Sequence, residues 1–167
     1  MITQTLLDDA ASLLDACRAK GIKLATAESC TGGLIAGILT SIAGSSDVVE
    51  RGFVTYSNEA KNELLGVPME LIGAVGAVSE PVAQHMAQGA LQRSHADIVV
   101  SVTGVAGPGG GSAEKPVGLV WFGLAQRGKP VASESRVFPG DRTAIRVATV
   151  EHAFALIRAR LFGRCGT

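Results

Sequence analysis

The chain has 167 residues, 47% of them hydrophobic, with 15 Lys+Arg set against 15 Asp+Glu. Such an apolar share builds a packed core and excludes a disordered segment, while the charge balance argues against nucleic acid as a general partner. No apolar run reaches membrane-spanning length, and the opening Met1-Ile2-Thr3-Gln4 lacks the basic and apolar regions of a signal peptide.

In chain order, residues 4–19 read as a helix with Leu6, Leu7, Ala10, Leu13, Leu14 and Cys17 on one face, ended by Lys20-Gly21. Ile22, Leu24 and Ala25 suit a buried strand. After it come Glu28, Ser29, Cys30, Thr31, Gly32 and Gly33, a sharp polar turn, and then a helix over about 32–42. Residues 43–46 form a polar loop. Gly52–Tyr56 is a short strand, and Ser57-Asn58 caps a helix over Glu59–Leu65. Gly66-Val67-Pro68 stops that helix, and a tight second one is possible at 69–73. Ser79 and Pro81 open a helix running to about Ser94, Ser79 as its cap. Ala96–Thr103 is an almost wholly apolar strand of the kind buried on both faces, and it empties into a glycine-rich loop over 104–112. Val117–Ala125 is a strand, Gln126–Pro130 a turn, and Val131–Val137 a half-exposed antiparallel edge strand. Asp141 caps a last helix whose core face is Val147, Val150, Phe154, Ile157 and Leu161; residues 163–167 are a tail.

Strands alternating with helices early and a hairpin late indicate a three-layer α/β/α sandwich with a mixed, mostly parallel sheet, in one domain over 1–167. Ligands of such open sheets bind beyond the carboxyl ends of the parallel strands. Three strands here end in polar segments: Glu28–Gly32, then Tyr56, Ser57 and Asn58 with Lys61 one turn on, then Thr103-Gly104. If those strands are neighbours, Ser29, Tyr56, Lys61 and Thr103 share one rim.

Each candidate has a plainer reading. The hydroxyls of the first turn suit a helix cap. Ser29 as a nucleophile needs a base, and no His lies near the motifs, so Lys61 is the base that remains. An ordinary lysine, with a pKa of ~10.4, is only about one part in a thousand neutral near pH 7.4, so burial must lower it. Tyr56 is the chain's only tyrosine and either polarises a proton, stacks on a ring, or packs at an interface. Ser45 and Ser46 offer a rival hydroxyl pair. Cys30 is a third rival, since a helix N-terminus lowers a thiol pKa. Arg142 either contacts a phosphate or is a surface charge. The glycine loop matches neither a Walker loop nor the dinucleotide fingerprint, though its amides suit a phosphate. Cys17, Cys30 and Cys165 form no metal motif, and their odd number suits a reducing cytosol. No metal and no cofactor are expected.

At TAESCTGG (26–33), AGSS (43–46), RGFVTYSNEAK (51–61), GAVSEP (76–81) and TGVAGPGGGSAEKPVG (103–118) the chain resembles the CinA C-terminal-domain family, over nearly its whole length. Stand-alone members of that family are nicotinamide-nucleotide amidases. The resemblance implies hydrolysis of nicotinamide mononucleotide to nicotinic acid mononucleotide and ammonia by a metal-free Ser–Lys mechanism. It puts the nucleophile at Ser29 and the base at Lys61, with Tyr56 close by and Ser46 as the alternative hydroxyl. The separate N-terminal domain of longer members is expected to be absent. Backbone amides near Thr31–Gly33 would then form the oxyanion hole. Glu28 would balance a cationic pyridinium, with Asn58 and Ser46 also at the substrate. Thr103, Gly104 and Arg142 would hold the ribose phosphate. A binding module without turnover, or an amidase of another small carboxamide, remain alternatives. Cytoplasmic location and a homo-oligomer are further expectations, with neither nucleic acid nor membrane as a partner.

Overall fold

The structure is a computed structural model and describes residues 2–163. The elements are α1 Gln4–Ala19, β1 Leu24–Glu28, α2 Leu34–Thr40, β2 Val49–Val54, α3 Asn58–Leu65, α4 Met69–Val75, α5 Glu80–Gln92, β3 Ile98–Gly104, β4 Leu119–Gln126, β5 Ala132–Val137 and α6 Arg142–Leu161. A 3-10 turn at Ser45–Asp47 precedes β2.

The sheet order is β2-β1-β3-β4-β5. β1 pairs in parallel with both β2 and β3, and β4 pairs antiparallel with β3 and β5. Four strands therefore point one way and β4 alone runs back, which is the mixed, mostly parallel sheet expected.

Side chains alternate across the sheet as the pleat requires. Leu24, Ile98, Val100, Val102, Val120, Phe122 and Leu124 join α1, α2 and α6 in one core. Ala25, Ala27, Val99 and Ala125 join Leu65, Ile72, Val82 and Met86 of α3–α5 in the other. The α5 face of the sheet is made of small residues, so that helix lies close. A Cβ at Gly123 would strike the Ala83 carbonyl, and the Ser101 hydroxyl donates to that same carbonyl at 2.6 Å.

Several details differ from the sequence reading. β2 lies about three residues earlier than Gly52–Tyr56, because its last rung pairs Val54 with Glu28 and the chain then turns away to cap α3 at Ser57. The loop at 43–46 gives way to the 3-10 turn. Ser79 occupies the N-cap position of α5, but its hydroxyl donates to Gly76 O at 2.8 Å instead of capping. Asp141 caps α6 as expected, accepting from Ala144 N. Cys17 is a core residue. Cys165 and the tail at 164–167 lie outside the described residues. Among the described residues, no helix is long and apolar enough to cross a membrane.

Candidate active site

The crossover from β1 to β2 runs through α2 on one face, and that from β2 to β3 through α3–α5 on the other. The winding thus reverses at the β1/β3 boundary, where open α/β sheets place their ligand crevice. An open cavity of about 220 Å³ lies there. Ser29, Tyr56, Asn58, Lys61, Thr103, Gly104 and Arg142 line it, with Cys30, Ala77, Val78 and Ala106 between them.

The turn after β1 is built by two anchors. Glu28 is fully buried, and its carboxylate accepts from the Ile35 and Ala36 amides at 2.8 and 3.0 Å, from Thr31 Oγ1 at 2.6 Å and from Thr26 Oγ1 at 3.2 Å. It is the anionic cap that the N-terminus of α2 calls for. Gly32 and Gly33 follow at φ +58° and +98°, left-handed values that suit glycine, and bring the chain round into α2 within two residues. Ser29 O accepts from Gly32 N at 2.9 Å, closing the turn. The Ser29 amide is taken by Val102 O and the Gly32 amide by Ser29 O. Among the described residues, the Cys30 and Thr31 amides meet no acceptor on another residue.

Lys61 comes to the cavity from the first turn of α3, and its side chain is 1% exposed. Nζ lies 3.0 Å from Ser29 Oγ, 2.9 Å from Thr55 O and 3.3 Å from Tyr56 O. Among the described residues no carboxylate pairs with it. Burial lowers its ammonium below the ordinary lysine range. Ser57 O lies at 3.5 Å as well, so three carbonyl oxygens and the Ser29 hydroxyl surround the amine.

The remaining candidates divide sharply. Tyr56 stands at the rim, 60% exposed, and its phenol oxygen accepts from Arg142 at 3.0 Å. Arg142 also donates to Gly107 O at 2.9 Å, so it ties the tyrosine to the glycine loop. Asn58 is exposed at the mouth, and Ser57 rather than Asn58 caps α3. Thr103 is buried, its hydroxyl donating to Ala77 O at 2.9 Å, which fixes the opposite wall.

Glu28, Thr31 and Gly32 do not line the cavity; they shape the turn beneath it, and Glu28 is spent on α2. Ser46 sits in the 3-10 turn that leads into the N-terminal end of β2. Because β1 and β2 are parallel, that turn and Ser29 lie at opposite ends of the sheet within one chain, and Ser46 is absent from the cavity. Cys30 is corrected as well. Its side chain belongs to the core under α2, and burial pushes the thiol up to about 12, the reverse of an activated cysteine. No cluster of three or more His, Cys, Asp or Glu occurs among the described residues.

Sequence reading missed the wall formed by Ala77, Val78 and Ala106. The GAVSEP segment carried a signal, but capping chemistry masked it. Arg146 was missed too. It lies one turn beyond Arg142 on α6 and donates to Thr31 O at 2.8 Å, and helical spacing from Arg142 was the one available hint.

The architecture and cavity define an α/β protein with a polar crevice at the switch point of its sheet. The chain belongs to the CinA C-terminal domain family, whose model matches residues 7–161. It is 57% identical over 132 residues to the nicotinamide-nucleotide amidohydrolase PncC of Enterobacter agglomerans, covering 79% of this chain and 80% of that one. It is 53% identical to a CinA-like protein of Akkermansia muciniphila over 140 residues, 83% of this chain but 34% of that longer protein, so the chain spans about a third of its length. The crystal structure of the competence/damage inducible protein CihA from Agrobacterium tumefaciens superposes with a TM-score of 0.91 at 50% identity, covering 95% and 97% of the two chains.

Proposed function

We propose that this chain is an amidohydrolase of nicotinamide nucleotides that converts nicotinamide mononucleotide to nicotinic acid mononucleotide and ammonia. The observation that carries the reading is the 3.0 Å contact between Ser29 Oγ and the buried Lys61 Nζ. The likeness to PncC over most of both chains supports the substrate class.

In the proposed reaction, neutral Lys61 takes the Ser29 proton as Oγ attacks the carboxamide carbon. The oxyanion is met by the amide of Cys30, which lines the cavity; one such donor is typically worth about 3 kcal/mol. The C–N bond breaks as the Lys61 ammonium returns its proton to the leaving nitrogen, and ammonia departs. Water, deprotonated by the same amine, then cleaves the Ser29 ester and regenerates the hydroxyl. Drug-sized ligands occupy roughly 300–1,000 Å³. The smaller cavity here fits the carboxamide and its ring, and leaves ribose and phosphate at the mouth, where Arg142 is the cation.

Ammonia release from nicotinamide mononucleotide tests this directly. Ser29→Ala and Lys61→Ala are expected to lose at least a thousandfold in kcat while keeping their circular dichroism. Wild type that binds the mononucleotide and leaves it unchanged would point to a binding module, and turnover of other carboxamides alone would move the substrate.

A further inference from the structure

The guanidinium of Arg146 is half-buried, and no carboxylate among the described residues pairs with it. Its recorded hydrogen bond goes to Thr31 O at 2.8 Å, and its buried Nε has no acceptor among the described residues. Its NH2 would lie 3.7 Å from a Cβ placed on Gly32. A buried guanidinium N–H without an acceptor is costly, and here it sits beneath the turn that carries Ser29. Thr31 is thereby held from two sides: its hydroxyl by the Glu28 carboxylate at 2.6 Å, its carbonyl by Arg146. In the same turn the Cys30 amide, at the cavity, has no acceptor on another residue among the described residues. We infer that Arg146 is a positioning residue for acyl transfer at Ser29, holding the Thr31–Gly32 peptide and through it the turn that presents the Cys30 amide, and placing positive charge behind the developing oxyanion.

This inference rests on the Ser29 reading above, so its test separates the two. A fluorophosphonate reports oxyanion stabilisation without reference to the natural amide. Its phosphorus forms a bond to Ser29 Oγ, fluoride leaves, and Lys61 takes the proton. Labelling rate at Ser29 is read by mass spectrometry for wild type, Arg146→Met, Arg146→Lys and Arg146→Gln. Arg158→Met, which removes a guanidinium from the far end of the same helix, serves as control. Arg146→Met and Arg146→Gln are expected to label at least tenfold more slowly, and Arg146→Lys within about threefold of wild type. In turnover the loss should fall on kcat with KM within threefold, and Arg158→Met should label at the wild-type rate. If Arg146→Met fails to fold, the Lys and Gln variants decide: Lys active and Gln slow supports the inference, and equal rates overturn it. Wild-type labelling in folded Arg146→Met also overturns it and leaves the Ser29 reading standing. Wild type that takes no label at Ser29 sinks both. A labelled wild type that leaves nicotinamide mononucleotide intact removes only the substrate.

Discussion

At the residue scale, a lysine that is 1% exposed and faces carbonyl oxygens rather than a carboxylate is expensive to keep in a core. Its folded value lies below the ~10.4 of an unfolded lysine, so between the two the unfolded chain holds a proton that the folded chain has released. The stability contributed by this group therefore rises with pH across that window, and below it the full desolvation cost stands. Urea unfolding of wild type and Lys61→Met should show the difference moving in favour of wild type as pH climbs towards ~10; a flat difference would contradict the assignment. In the proposed reaction kcat/KM should climb about tenfold per pH unit up to the lowered lysine value and then level. Cys30 gives a second residue-scale test. With its thiol pushed up to about 12 by burial, well under one part in a thousand is thiolate at neutral pH. Native protein should resist iodoacetamide at Cys30 while the urea-unfolded chain is alkylated, as peptide mass spectrometry will read. Sequence alone gave the thiol a helix N-terminus to lower its pKa. The coordinates pack it into the core at the edge of the cavity instead, and that desolvation outweighs the helix N-terminus.

At the element scale, the site depends on where α3 stands, since α3 brings Lys61. Gly89 of α5 is what lets α3 approach: a Cβ there would collide with the Leu65 carbonyl. Gly89→Ala should therefore push the two helices apart, costing about 1–3 kcal/mol as overpacking does. It should lower Ser29-dependent turnover more than the stability loss explains, by moving Nζ out of its 3.0 Å contact. Chemical denaturation together with kcat checks both halves. Most helices were legible, α1 and α6 above all, because apolar spacing and caps are local signals. β2 was less so. It is an edge strand with exposed positions and weak alternation, and its end is set by pairing with Glu28, which no local pattern reports.

At the scale of the whole molecule, α6 closes one layer over α1 and the sheet, and from the far end of the sequence it carries Arg142 to the cavity and Arg146 to the turn after β1. Phe154, fully buried on it, packs into that core. Phe154→Ala should cost about 3–5 kcal/mol, a large part of the ~5–15 that holds a domain together. Its melting temperature should fall by several degrees or more, and calorimetry will show it. The amino-acid sequence by itself determined the helices, the two-face burial of β3, the three-layer architecture and the chemistry on offer at the strand ends, since each follows from short-range periodicity and residue type. It did not determine that Glu28 faces inward to cap α2, that Ser46 stands at the opposite end of the sheet from Ser29, or that Arg146 reaches Thr31 across 115 positions. Those facts arise from strand order and helix docking, and such contacts between distant segments leave no period in the chain to read.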